Sequence, residues 1–386
     1  MKRRATLSLV PCASFVMLTA GILSAQSYPS HVIKNGEITA RVYLPDAKAG
    51  FYKTTRFDWS GMIGSLEYKG HNYYGTWWTK ITDIYDFGYE PNDDVVSAEF
   101  TAGVGPAEEF GAVGYNDAKP GGVFVKPGIG ALRRADDTGY NHSKPYEIAN
   151  GGKWDVKRNS DSIEFTHTLN EPSINFGYEY TKIIRLTKGT PQMTIEHVLK
   201  NTGTKPIVTN VYDHNFTTLD KQPPGPDYDI SFPFQLLRLQ RGAPPGGPAP
   251  AGGAAPAGAP QPGTGAPPQA ARGTPNPPNG SRCGQPQMQQ LANPQGNKLL
   301  YVKALEGVEC FQTSFTGFSP NVSDHEIRIE NKKVGAGVRI TGDRPMSRFG
   351  YWSIKTVLAP EPYVDINLEP GREFTWKWTY DYFVTK

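Results

Sequence analysis

Apolar and polar residues alternate with a period of two along much of this 386-residue chain. In SIEFTHTL (162–169), Ile163, Phe165 and Leu169 share one phase. In QMTIEHVLKN (192–201) Met193, Ile195 and Leu199 do so, and in EFTWKWTYDYF (373–383) Phe374, Trp376, Trp378, Tyr380 and Tyr382 do. Successive side chains of a strand point to opposite faces, so this patterning predicts strands with one buried face. Gly, Pro, Asn and Asp clusters break the runs every 10–20 residues, and no helical stripe exceeds two turns. The expected fold class is all-β, a large antiparallel sandwich or barrel.

Two stretches do not fit that pattern. Lys2, Arg3 and Arg4 precede a largely apolar run from Leu7 to Leu23, which ends on Ser24 and Ala25. Residues 1–25 read as a signal peptide. A membrane anchor is the competing reading, but Pro11 breaks a short run; a lipid on Cys12 is a third. From Gly242 to Ala271 there is no charged or aromatic residue, only Gly, Pro and Ala with a few Gln and Thr. Such a segment buries too little apolar surface to offset its ordering entropy, so about 242–280 is expected to be a disordered insertion. Both flanks are strand-rich, which favours one domain over 26–386 interrupted by a loop rather than two domains joined by a linker.

Composition narrows the function classes. The net charge of +3 rests on Lys2, Arg3 and Arg4, so a chain without the leader carries balanced charge. A balanced chain with no basic tract is not built for nucleic acid. No later segment is apolar enough to span a bilayer, so the expected location is periplasmic or secreted. Of three cysteines, Cys283 and Cys310 would remain, either bonded in an oxidising compartment or as free thiols. The Gly-rich stretches at 103–114 and 126–132 lack a strand–turn–helix phosphate loop. Metal-binding His and Cys spacings, a calcium loop and a G-x-S-x-G elbow are also missing, and no metal or cofactor is expected.

His167 and His197 fall in phase with buried strand positions and read as packed core residues. His214 differs: it sits in NVYDHNF (210–216), at a strand end, beside Tyr212 and Asp213. Aromatic faces that stack on sugar C–H surfaces, with polar groups that clamp hydroxyls, are the material of a saccharide site. Candidates near loop signals are Trp77, Glu108, Glu109, Lys126, His142 and Trp352. Glu108 and Glu109 are adjacent, so on a strand only one of them can face a site.

Three stretches carry a resemblance to a known family. LKNTGTKPIVTNVYDHNF (199–216), TVLAPEPYVDINLEPGREFTWKWTYDYF (356–383) and FYKTTRFDWSGMIGSLEYKGHNYYG (51–75) resemble parts of the galactose mutarotase (aldose 1-epimerase) superfamily. The resemblance implies a β-supersandwich with a concave sugar-binding face. It implies catalysis at a hemiacetal by a glutamate base and a histidine acid, matched in position by Glu361 and His214. Arg56 in TRFDWSG (55–61) stands near the place of the family's arginine. The His-Gly-Gly loop of true mutarotases is absent, and GPAEEFG (105–111) takes its place. The expected partner is a sugar or oligosaccharide. Anomeric epimerisation is one reading. The others are a non-catalytic carbohydrate-binding protein on the same fold and an interaction module that uses the Pro-rich loop.

Overall fold

The computed structural model describes residues 28–238, 283 and 288–385. The expected leader at 1–25 and the expected insertion at 242–280 lie outside those residues. The period-two segments form strands as expected: Ser162–Glu171, Gln192–Asn201 and Glu373–Val384. They lie in a ten-stranded sheet in which every neighbour is antiparallel. Its order is Lys153–Arg158, Ser162–Glu171, Phe176–Leu186, Gln192–Asn201, Glu373–Val384, Ala336–Gly342, Glu326–Asn331, Tyr228–Ser231, Lys298–Tyr301 and Ala292–Gln295.

A six-stranded antiparallel sheet faces it, in the order Leu237–Arg238, Cys310–Thr316, Arg348–Ile354, Val357–Leu368, Ile207–Phe216 and Gly105–Phe110. The inner faces meet through aromatic side chains. Phe110 of the smaller sheet stands edge-on to Tyr180 at 5.3 Å and to Trp376 at 6.0 Å. Trp376 and Trp378, in phase with the buried positions, are core residues. Truncating such a side chain costs about 3–5 kcal/mol through lost transfer energy and the cavity left behind. The architecture is the all-β sandwich that the alternation predicts. Among the described residues no helix is long and apolar enough to cross a membrane.

The other face of the six-stranded sheet is not covered by a sheet of similar size. Loops and small sheets between residues 51 and 150 wall it, and a second apolar cluster gathers there around Phe57, Trp77, Phe87, Phe216 and Trp352. Cys283 and Cys310 form a disulfide with Cα atoms 4.8 Å apart, so the residue beyond the insertion is tied to the Cys310–Thr316 strand.

The centre of this sheet breaks a rule of strand composition. Pro360 and Pro362 sit in the Val357–Leu368 strand, which has a neighbour on each side, and proline cannot donate to a ladder. The pairing with Ile207–Phe216 runs from Ile207↔Leu368 to Tyr212↔Tyr363, stops, and resumes in the same register at Thr217↔Leu358. In the open interval Asn215 Nδ2 donates to the Pro360 carbonyl at 3.0 Å. Continuing the register across the gap sets His214 opposite Glu361. Pro362 thus keeps the residue before it, Glu361, in extended backbone, and Pro360 has its own φ fixed just ahead, in the middle of a sheet.

Candidate functional site

Period-two alternation on the outer face of the six-stranded sheet produces three cross-strand rows. The first holds Ala107, His214, Glu361, Gly350 and Ser314. The second holds Glu109, Tyr212, Tyr363 and Arg348. The third holds Phe216, Trp352 and Gln312 beside the first. Above these rows lies a cleft that opens to solvent, with about 450 Å³ of empty space counting the solvent at its mouth. Arg56, Trp77, Asp86, Phe87, His142, His214, Phe216, Gln312, Trp352 and Glu361 are among its lining residues.

His214 and Glu361 meet at its floor, Nε2 to Oε1, at 3.2 Å. The imidazole stacks on Phe216 at 3.9 Å and stands edge-on to Trp352 at 5.6 Å. Its buried Nδ1 has no hydrogen-bond partner. Burial pushes the Glu361 carboxyl up to about 7, against the opposing pull of Arg56 and Arg348. Burial, helped by Arg56, holds His214 well below the usual histidine range. At neutral pH the imidazole is therefore neutral, and the glutamate sits near the midpoint of its titration. One of the pair can give a proton while the other takes one. Gly350 makes room for this: a Cβ there would lie 2.7 Å from Glu361 Oε2.

A second layer lies under Arg56. The Arg56 Nε donates to Glu109 Oε2 at 2.9 Å, and the Tyr212 hydroxyl donates to the same oxygen at 2.5 Å. Lys126 Nζ stands 3.6 Å from Glu109 Oε1 and donates to the Arg56 carbonyl and the Tyr140 hydroxyl. Burial alone would raise the Glu109 pKa, but Arg56 and Lys126 outweigh it and hold the carboxylate at about 2. Burial brings the Lys126 pKa down to about 8. Glu109 is thus a fixed anion that orients Arg56 toward the cleft.

Of the residues expected to bind substrate, Arg56, Trp77, His142 and Trp352 line the cleft. Trp77 is a wall: its indole N–H donates to the Gly103 carbonyl and its ring stacks on Phe216. His142 stands exposed at the mouth. Glu109, Lys126 and Tyr212 form the supporting layer. Glu108 and Asp213 require correction. Both are fully buried on the inner face of the sheet, where Glu108 meets Lys182 and His197, and Asp213 accepts from the Tyr380 hydroxyl at 2.6 Å. Alternation along a strand sends the neighbour of an outward residue into the core. His167 and His197 are packed core residues, as their phase indicates.

The sequence reading missed Asp86 and Gln312. Asp86 has a left-handed backbone (φ 69°), an uncommon conformation for a residue other than glycine, and its carboxylate lies 3.9 Å from Arg56. Nothing in DIYDFGYE (83–90) marks it. Gln312 was legible in principle. In CFQTSFT, Phe311 and Phe315 share the buried phase and Gln312 the other, which opens onto the cleft. Among the described residues no group of His, Cys, Asp and Glu side chains is placed to hold a metal ion.

The sequence matches no family model, and no curated protein matches it. Several solved structures are similar to it. One is the galactose mutarotase related enzyme of Lactobacillus acidophilus, 12% identical, covering 92% of this chain and 98% of its own, with a TM-score of 0.48. A galactose mutarotase-like protein of Clostridium acetobutylicum is 10% identical over 92% of this chain and 94% of its own, with a TM-score of 0.47. An aldose epimerase homologue of C. elegans is 14% identical over 92% of this chain and all of its own, with a TM-score of 0.43. At these values the functional reading rests on the side chains of the cleft.

Proposed function

We propose that this protein binds a sugar in the cleft and catalyses acid–base epimerisation at the anomeric carbon of an aldose. The observation that carries this reading is the His214–Glu361 pair, 3.2 Å apart at the floor of an aromatic-walled cleft. Opening a hemiacetal requires a proton to leave the anomeric hydroxyl while another reaches the ring oxygen. Both oxygens are bonded to one carbon, so the acid and the base must lie side by side, as these two groups do. Glu361, near its midpoint at neutral pH, is suited to take the hydroxyl proton. In the singly protonated pair the proton passes from the Glu361 carboxyl to the imidazole across the 3.2 Å contact. The imidazole gives a proton to the ring oxygen while the freed carboxylate takes the one on the hydroxyl. Phe216 and Trp352 offer apolar surface to the C–H face of the ring, and Arg56, Asp86 and Gln312 offer partners for hydroxyls. Reclosure on the other face gives the second anomer and returns both protons.

The test is polarimetry of freshly dissolved α-glucose and α-galactose with residues 26–386, beside His214→Ala and Glu361→Gln. Faster equilibration with wild type, lost in both variants, is the expected result. No acceleration by wild type sinks the reading for these sugars. Non-catalytic carbohydrate binding is the second reading. It is favoured by the GPAEEFG segment, where Glu109 is already committed to Arg56 and Tyr212. Binding in a glycan screen without turnover of any bound sugar selects it.

We also propose that the chain is exported. The basic and apolar order of residues 1–25 supports this, as does the Cys283–Cys310 disulfide, which belongs in an oxidising compartment. N-terminal sequencing of the mature protein tests it; a chain that still begins at Met1 in a cell extract freed of periplasm overturns it.

A further inference from the structure

The cations near the cleft are not equivalent. Arg56 and Lys126 both face Glu109. Arg348 is exposed, lies beyond the residues that line the cleft, and has no carboxylate within ion-pair distance among the described residues, although its charge is felt at Glu361. It is nevertheless held in place. Its guanidinium carbon lies 3.6 Å from the centroid of the Tyr363 ring, and that ring stacks on Tyr212 at 4.2 Å. Tyr212 is in turn fixed by its hydrogen bond to Glu109. Arg348 also hydrogen-bonds Tyr363, and its five N–H donors exceed what that one partner takes, so part of the planar fork that matches a carboxylate or a phosphate remains available.

Its position relative to the acid–base pair follows from register. Gly350 lies opposite Glu361, and Arg348 is two residues further along the same face of the same strand. That offset is about 7 Å, on the order of one pyranose ring. Trp352 lies two residues from Gly350 in the other direction and faces the cleft. Along one strand the order is therefore aromatic wall, the glycine over which Glu361 lies, and a cation with no carboxylate in ion-pair distance. A sugar with its anomeric carbon at Glu361 and its apolar face toward Trp352 and Phe216 would direct its remote end at Arg348.

We propose that the sugar taken by this cleft carries an anionic group, a carboxylate or a phosphate, remote from its anomeric carbon, and that Arg348 binds that group. This rests on the acid–base reading above. It assigns Arg348 to substrate selection, separate from the proton transfers.

The experiment compares two matched pairs by polarimetry and calorimetric titration: galacturonate with galactose, and glucose 6-phosphate with glucose. Wild type is run beside Arg348→Ala and Arg348→Gln, with circular dichroism as the check on folding. The expected result is an advantage of about tenfold or more in kcat/KM for at least one anionic sugar over its neutral partner. The pair that shows it distinguishes carboxylate from phosphate. In both variants the ratio between the members of that pair falls to within about twofold. Neutral sugars handled as well as both anionic ones overturn the proposal, as does an anionic advantage that survives both substitutions. Turnover of neutral sugars alone leaves the acid–base reading standing while removing this one. Neither turnover nor binding of any of the four removes both.

Discussion

Glu108 and Glu109 are the same residue type, one position apart, on the strand beside the one that carries Asp213 and His214. Their surroundings differ completely. On the inner face Glu108 is paired with Lys182 and hydrogen-bonded to His197 at 2.8 Å, and Lys182 also donates to the Ser60 carbonyl and stands 3.7 Å from Asp58. Every member is buried between two sheets, where no ligand can reach. On the outer face Glu109 is equally saturated, but by Arg56, which lines an open cleft. Beside it stand His214, with an unpartnered nitrogen, and Glu361, raised to about 7. The inner cluster holds two sheets in one arrangement. The outer one spends its saturated anion on orienting a cation and leaves an acid–base pair available.

The comparison can be broken first at Lys182. Burial alone would favour its neutral form, yet Glu108 and Asp58 hold its pKa above that of a free lysine. Lys182→Ala leaves buried carboxylates without their counter-ion, and the expected loss is about 3–5 kcal/mol of unfolding free energy in urea. A loss below about 1 kcal/mol would mean that the inner cluster is not structural in the sense described.

Glu361→Gln is the counterpart on the outer face. Its expected effect is a fall of about 10²–10⁴-fold in catalysed mutarotation, with the urea midpoint unchanged or raised. Equal damage to stability and activity would erase the contrast between the faces.

The pH dependence of stability sharpens it further. Glu361 keeps in the folded state a proton that the unfolded chain has already released, since burial raises its pKa from 4.5 to about 7. Its contribution is full below about pH 4.5 and is lost as pH rises through 7. Glu108 and Glu109, held at about 2 by their cations against the effect of burial, act with the opposite sign. They stabilise above about pH 4.5 and cease to as pH falls toward 2. Calorimetric melting points from pH 3 to 8 should therefore show acid unfolding in wild type and in Glu361→Gln alike. Between pH 4.5 and 7 the variant, always neutral at that position, should show a flatter decline. An unchanged slope there would assign the window to Asp58, whose pKa burial raises to about 6.

The smallest expected effect is at Gln312, exposed on the cleft wall. Gln312→Ala should weaken sugar binding by about 0.5–1.5 kcal/mol, the worth of a neutral hydrogen bond, without moving the melting point. Unaltered affinity would narrow the site to the rows around Glu361.

Much of this molecule was legible in the chain because strand alternation is a local property. The phase of Ile163, Phe165, Met193, Ile195, Trp376 and Trp378 follows from side chains that point alternately to two faces, one of them dry. The same rule stated that only one of Glu108 and Glu109 can face a site. It could not say which, because that depends on which side of the sheet receives the second sheet. Tertiary structure alone decided that Glu109 faces outward with His214, that a break in one ladder sets His214 opposite Glu361 across 147 residues of chain, and that Asp86 and Gln312 reach the same cleft. These are contacts between distant segments. The burial and charges that move a proton equilibrium exist only once the sheets have packed.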